Sequence, residues 1–218
     1  MSEHPAGVRP ALDAKAFDAL LVPGLEARMA AIERDIRPIF RAFAEAVAPM
    51  LAAGAGEPMH VHIAKHARRT VNPPNDTWVA FSSDPRGYKK LLHFQFGLWP
   101  THAFFWLAAI YESPFKPAWA RRWLEALDDV VRLVPGDFVW SFDHTAPDVV
   151  RHDALGAEEL EQAFRRAMTV KKAELLVGRI LPREKAEGAD LVAFAEATAR
   201  PLFRLYRIAL SIDAPRSG

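Results

Sequence analysis

The chain has 218 residues, 50% of them apolar and 25% charged, and a net charge of +1. A chain of this length buries roughly 70% of the surface its unfolded form exposes, so a core forms without staples. Cysteine is absent, which excludes disulfides, thiolate zinc sites and cysteine nucleophiles. The near-neutral charge gives no global field for nucleic acid or membrane. The first ten residues carry no signal-type apolar core. The longest apolar run, residues 103–111, is far short of the ~20 residues that span a bilayer. The expectation is a cytoplasmic protein without membrane association.

The first long element is a helix. Leu25, Met29, Ile32, Ile36, Phe40, Phe43 and Val47 recur at spacings of three and four, the stripe of an amphipathic helix. Pro23-Gly24 precedes it, Pro38 inside it predicts a kink or a split, and Pro49 with Gly54 and Gly56 ends it. Residues 17–22 read as a short helical turn before it. Four strands follow. In the first, Met59, Val61 and Ile63 point one way and His60 and His62 the other. Residues 78–81 form the second. Residues 92–98 form the third, with Phe94, Phe96 and Leu98 on one face and His93 and Gln95 on the other. Residues 102–111 are apolar on both faces and predict a central strand covered on both sides.

Residues 114–131 read as a helix with Trp119, Trp123, Leu127 and Val130 on one face. A fifth strand falls at 137–142 and a helix at 158–168, its acids first and its arginines last as the dipole favours. A sixth strand falls at 174–181, with Gly178 as a bulge, and a helix at 191–210 is interrupted at Pro201. Strands flanked by helices at both ends of the chain argue an α+β fold, a central and mostly antiparallel sheet in one compact domain. The domain spans residues 15–212, with a flexible segment at 1–14 and a frayed tail at 213–218.

Chemistry concentrates between residues 59 and 99, which hold four of the eight histidines. Between 60 and 90, Lys65, Arg68, Arg69, Arg86, Lys89 and Lys90 stand against Asp76 and Asp84 alone. The Pro73-Pro74 pair stiffens the loop that carries Lys65, Arg68 and Arg69. Guanidinium forks match phosphate or carboxylate oxygens, so this loop suits an anion. Neighbours in an extended segment point opposite ways. One of Arg68 and Arg69 is therefore expected inward, on a carbonyl or on Asp76, Asp143 or Asp148, and the other outward. His60, His62, His66, His93, Gln95, Trp78 and Trp140 are expected to line a polar pocket. No carboxylate lies between residues 59 and 75, so paired histidines there lack a metal-ligand partner and no metal is expected. Asp143 and His144 end the fifth strand as an acid–base pair or as a polar turn. No phosphate-loop, dinucleotide-binding or serine-elbow motif occurs, and no cofactor is indicated.

Long strings of the sequence, VHIAKHARRTVNPPNDTWVAFSSDPRGYKKLLHFQFGLW, FFWLAAIYE and DFVWSFDHTAPDVV, resemble the DUF1054 (UPF0637) family of bacterial proteins over residues 15–210. The segment around the arginine-bearing loop is also loosely similar to the DUF2461 family. The DUF1054 resemblance implies an α+β fold with a mostly antiparallel sheet, and no established activity, substrate, cofactor or catalytic residue.

Three functional expectations follow. The first is a binding module for an anionic, phosphate-bearing small molecule or a nucleic-acid end, held by Lys65, Arg68, Arg69, Lys89 and Lys90. The second is a small hydrolase or transferase using Asp143 or a histidine among His60, His62, His66, His93 and His144. The third is a scaffold without a small-molecule site. A single pocket shared by the arginine loop and the Asp143-His144 turn favours the enzyme.

Overall fold

A computed structural model describes residues 9–211. The first helix, α1 (Ala14–Asp18), starts at Asp13, whose carboxylate accepts the Ala16 N–H at 3.0 Å. Leu12, just ahead of it, is 2% exposed and bridges Glu187, so ordered structure begins before residue 15. Of the flexible ends expected at 1–14 and 213–218, residues 1–8 and 213–218 lie outside the described residues.

The long amphipathic stripe splits where its proline sits. Helix α2 (Leu25–Ala31) passes through a π-helical turn at Ile32–Ile36 into α3 (Arg37–Ala55). Pro38, which has no N–H to donate, falls in the first turn of α3, and the π turn absorbs the mismatch. Pro49 does not end this helix. The stop is Gly56, whose φ of +81° places the left-handed residue that closes a helix C-terminus.

Four strands follow in antiparallel succession: β1 (His60–Ile63), β2 (Thr77–Ser82), β3 (His93–Trp99) and β4 (His102–Ala109). The single helix expected over 114–131 breaks at Ala126 into α4 (Lys116–Glu125) and α5 (Leu127–Leu133). After it come β5 (Val139–Ser141), β6 (Val150–Arg151), α6 (Ala157–Thr169), β7 (Leu175–Pro182), α7 (Arg183–Ala186) and α8 (Leu191–Leu210). The two-residue strand β6 has no sequence signal. Helix α8 runs unbroken through Pro201; its buried face, including Leu202, Leu205 and Tyr206, packs against α3 and α4 and holds the helix together across the missing hydrogen bond.

The sheet has the order β1-β2-β3-β4-β7-β5-β6, every pair antiparallel. Strand β4 is central and wholly buried, Phe104 and Phe105 included. Gly178 is no bulge: the β4–β7 register runs without a break from Ala103↔Leu181 to Ala109↔Leu175. A Cβ at residue 178 would overlap the Phe105 carbonyl, so glycine is there because the central strands approach too closely for a side chain.

The two sheet faces are covered differently. On one, Phe81, Phe94, Phe96, Phe105, Leu107, Val177 and Trp140 meet the helices in the main core, with Phe43 stacked on Phe96 at 4.1 Å between ring centroids. On the other, a smaller cluster of Trp99, Phe104, Trp106, Ala108, Val139 and Leu176 contains no helical residue. Loops lie over this second face, among them the 64–76 and 83–91 segments, which bring His66 and Tyr88 onto Trp78. The α+β class is confirmed, with the helices gathered on one side.

Candidate functional site

Polar chemistry collects at one end of the loop-covered face. In an antiparallel sheet the starts of β3 and β7 adjoin the ends of β4 and β5. His93, Glu112, Glu174 and His144 come from these four places, more than 80 positions apart in sequence at the extremes. Glu174 is 2% exposed. Its carboxylate accepts the Tyr111 N–H at 2.9 Å, the His144 N–H at 2.7 Å and the His144 ring Nδ1–H at 2.8 Å. Tyr111 lies over the His144 ring at 5.9 Å between centroids. The segment that delivers Glu174 is tied down by Lys116, buried at the start of α4, whose ammonium donates to the carbonyls of Val170 (2.9 Å), Lys171 (3.0 Å) and Ala173.

Two atoms of this cluster have no partner. His93 is fully buried, and its Nδ1 sits 2.8 Å from the Leu91 carbonyl oxygen. A carbonyl only accepts, so the ring proton is on Nδ1 and Nε2 carries a bare lone pair. Glu112 accepts from the Lys89 ammonium through Oε1 at 2.7 Å, while its buried Oε2 has no partner. One ligand-capable atom from each of Glu112, His144 and Glu174 lies within 4.8 Å of the other two.

The electrostatics divide the histidines. Burial pushes His93 down to about 4. Burial also disfavours charge on His144, but hydrogen bonding to Glu174 and the charges of Glu174, Glu112 and Asp76 outweigh it and hold the ring above its ordinary value. Asp76, 8% exposed at the edge of the same face, is pushed up to about 6 by burial, against the pull of His144 and Arg69. Tyr88, whose hydroxyl accepts from Trp78 Nε1 at 2.9 Å, is pushed up to about 12 by burial.

Two clefts flank these groups. One, of about 820 Å³, is walled by Glu174, Asp143, Tyr111, Arg166 and Lys172. The other, of about 890 Å³, lies between β1 and the 83–91 segment and is lined by His62, Lys65, Arg86, Lys89, Lys90 and Phe115 among others.

The family model described as "Domain of unknown function (DUF1054)" matches residues 12–206. The chain belongs to the DUF1054 family. A UPF0637 protein of Bacillus cereus (strain G9842) is 50% identical over 195 residues, covering 88% of this chain and 94% of that protein. UPF0637 proteins of Bacillus mycoides (strain KBAB4) and Bacillus cytotoxicus are each 49% identical over the same coverage.

Within this DUF1054 chain the register puts His60, His62, His93 and Gln95 on one face, through the pairs His60↔Ser82, His62↔Ala80 and Ala80↔Gln95. They do not form one pocket. His62 turns to the Asp84 carbonyl at 3.0 Å, and Gln95 is buried. His66 takes a positive φ of 50° and bonds Thr77 at 3.1 Å. Trp78 lies on the loop side, but Trp140 is a core residue on the helix side, packed on Trp123 and Phe164 with its N–H on His152. Arg68 and Arg69 are both exposed. The segment turns at 67–68 rather than staying extended, so alternation does not apply there, and Arg69 reaches only the Asn72 and Pro73 carbonyls at 3.4 Å. Neither arginine lines the basic cleft, whereas Lys65, Lys89 and Lys90 do.

Asp143 is exposed and accepts from the Thr145 N–H and hydroxyl, which hold its carboxyl below the usual range. It forms the polar turn, and the acid that grips His144 is Glu174. The basic cleft and the Asp143 cleft are separate. Glu112 and Glu174 carry no signal in the sequence, because each lies just outside a strand, where a lone acid reads as an ordinary strand terminus.

Proposed function

We propose that this protein is a binding module for a small anionic ligand held in the cleft beside β1. The observation that carries this reading is the convergence of Lys65, Arg86, Lys89 and Lys90 on one concavity whose lining includes a single acid, Asp84. Asp84 is already turned to Arg86, and Lys89 to Glu112. Lys65 and Lys90 make no ion pair among the described residues and supply the free positive charge. A cleft of about 890 Å³ fits a ligand of metabolite size. Phe115, 52% exposed on its rim, offers an apolar surface for the uncharged part of such a ligand.

The test is a thermal-shift and calorimetric titration of the full chain with inorganic phosphate, pyrophosphate, ATP and a short RNA. A native-state ligand raises the melting temperature by mass action. At least one small anion is expected to do so, more weakly at high salt, and the shift is expected to vanish in the Lys65→Ala/Lys90→Ala double variant while surviving in Arg68→Ala. A shift by RNA alone moves the partner to nucleic acid. No shift by any probe, or an undiminished shift in the double variant, removes this reading.

A further inference from the structure

We infer that the cluster at the end of the sheet binds one divalent transition-metal ion through Glu112, His144 and Glu174. The inference goes beyond anion binding and concerns different residues. Three donor atoms from three separate chain segments fall within 4.8 Å of one another, close enough for small side-chain shifts to bring them onto one ion. The second observation lies within the same set: Glu112 Oε2 is a buried acceptor with no donor. His93, at the start of β3, is fully buried with its proton committed to the Leu91 carbonyl, and its Nε2 also has no partner.

Buried acceptors without donors are costly unless a water or a cation meets them. The nearby protein cations do not fill that role. Lys89 engages the other Glu112 oxygen, and Lys116 is spent on three carbonyls. Mixed imidazole and carboxylate donors, with no thiolate, suit zinc, manganese, ferrous iron or cobalt better than calcium or magnesium. The backbone N–H groups of Tyr111 and His144 fix the Glu174 carboxylate, the kind of outer support that metal ligands have. The sequence conceals this set because its acids lie at residues 112 and 174, far from the histidine-bearing strands.

The full chain, stripped with a chelator and dialysed in turn against Zn²⁺, Mn²⁺ and Co²⁺, is assayed by elemental analysis and calorimetry. The expected result is one ion per chain. Affinity is expected to fall at least roughly tenfold in the isosteric Glu112→Gln variant, with its circular dichroism unchanged. The Co²⁺ absorption bands are expected to shift in His144→Gln; if that variant does not fold, the Glu112→Gln result decides alone. Absence of stoichiometric binding by all three ions, or wild-type affinity in Glu112→Gln, overturns the inference. The Lys65→Ala/Lys90→Ala variant is expected to bind metal normally, so failure of the anion reading and failure of this one are told apart.

Discussion

Asp76 carries a carboxyl group into surroundings that disfavour its charge, and the consequence is measurable. Its folded value of about 6 stands above the ordinary 3.8. The folded state therefore holds the proton more tightly, and stability falls as pH rises from about 4 to about 6. At neutral pH the ionised side chain costs about 1–3 kcal/mol, because each tenfold gain in proton affinity is worth ~1.4 kcal/mol. Asp76→Asn is expected to be more stable than wild type at pH 7 by that amount, and the gap should close on acidification to pH 4. Chemical denaturation at several pH values measures it; a gap that does not change with pH would show that the side chain is solvated or paired. The neighbouring arginines obey a different constraint. Alternation sends adjacent side chains opposite ways only while the backbone stays extended, and the turn at 67–68 leaves Arg68 and Arg69 both in solvent.

At the scale of elements, two joints decide whether the site is held. Lys116 links the start of α4 to the chain entering β7, and three carbonyl oxygens depend on its ammonium. Lys116→Met keeps the buried stem but orphans those oxygens. It is expected to destabilise the fold by about 3 kcal/mol, read as a lower denaturation midpoint. The other joint is the close approach of β4 and β7. Gly178→Ala forces a methyl into the Phe105 carbonyl and is expected to cost about 1–3 kcal/mol. Gly87→Ala serves as the control, because nothing lies within 4 Å of its added carbon. Equal midpoints for the two variants would mean the sheet yields at residue 178. The helical elements themselves were legible in sequence, because their stripes report one-sided burial. Their interruptions were not: Pro201 does not break α8, which tertiary packing holds on both sides of it, whereas the unheralded break at Ala126 separates α4 from α5.

For the whole molecule, the burial of imidazoles sets the response to acid. His66, His93 and His102 are each pushed down to about 4 by burial, with Arg69 and Arg37 adding to the effect at His66. Their folded values lie below the unfolded 6.5, so the unfolded chain takes up more protons between pH 6.5 and 4, and stability is lost as pH falls through that window. Asp76 acts in the opposite direction, but these three, joined by His62, whose value burial also lowers, outweigh it. The melting temperature is expected to decline from pH 6.5 to pH 4, and His102→Gln to flatten that decline. A melting temperature that holds steady across the window would contradict the burial of these rings.

Much of the fold follows from local pattern. Period-two alternation assigned His60, His62, His93 and Gln95 to one face and Phe94 and Phe96 to the other, and the unbroken apolar run at 102–111 marked the central strand, because side-chain direction along a strand needs no partner to be defined. The concentration of cations at 65–90 was equally readable as composition. What covers each face is a different matter. The helices all pack on one side and loops close the other, which turns a histidine-bearing strand face into a buried polar cluster. Glu112 and Glu174 meet His144 only because antiparallel pairing brings the start of β7 beside the ends of β4 and β5. Sequence by itself determined which residues a strand or helix presents to one side; tertiary structure alone decided which of those sides met, because strand order and register are set by the sum of long-range contacts and not by any local run of residues.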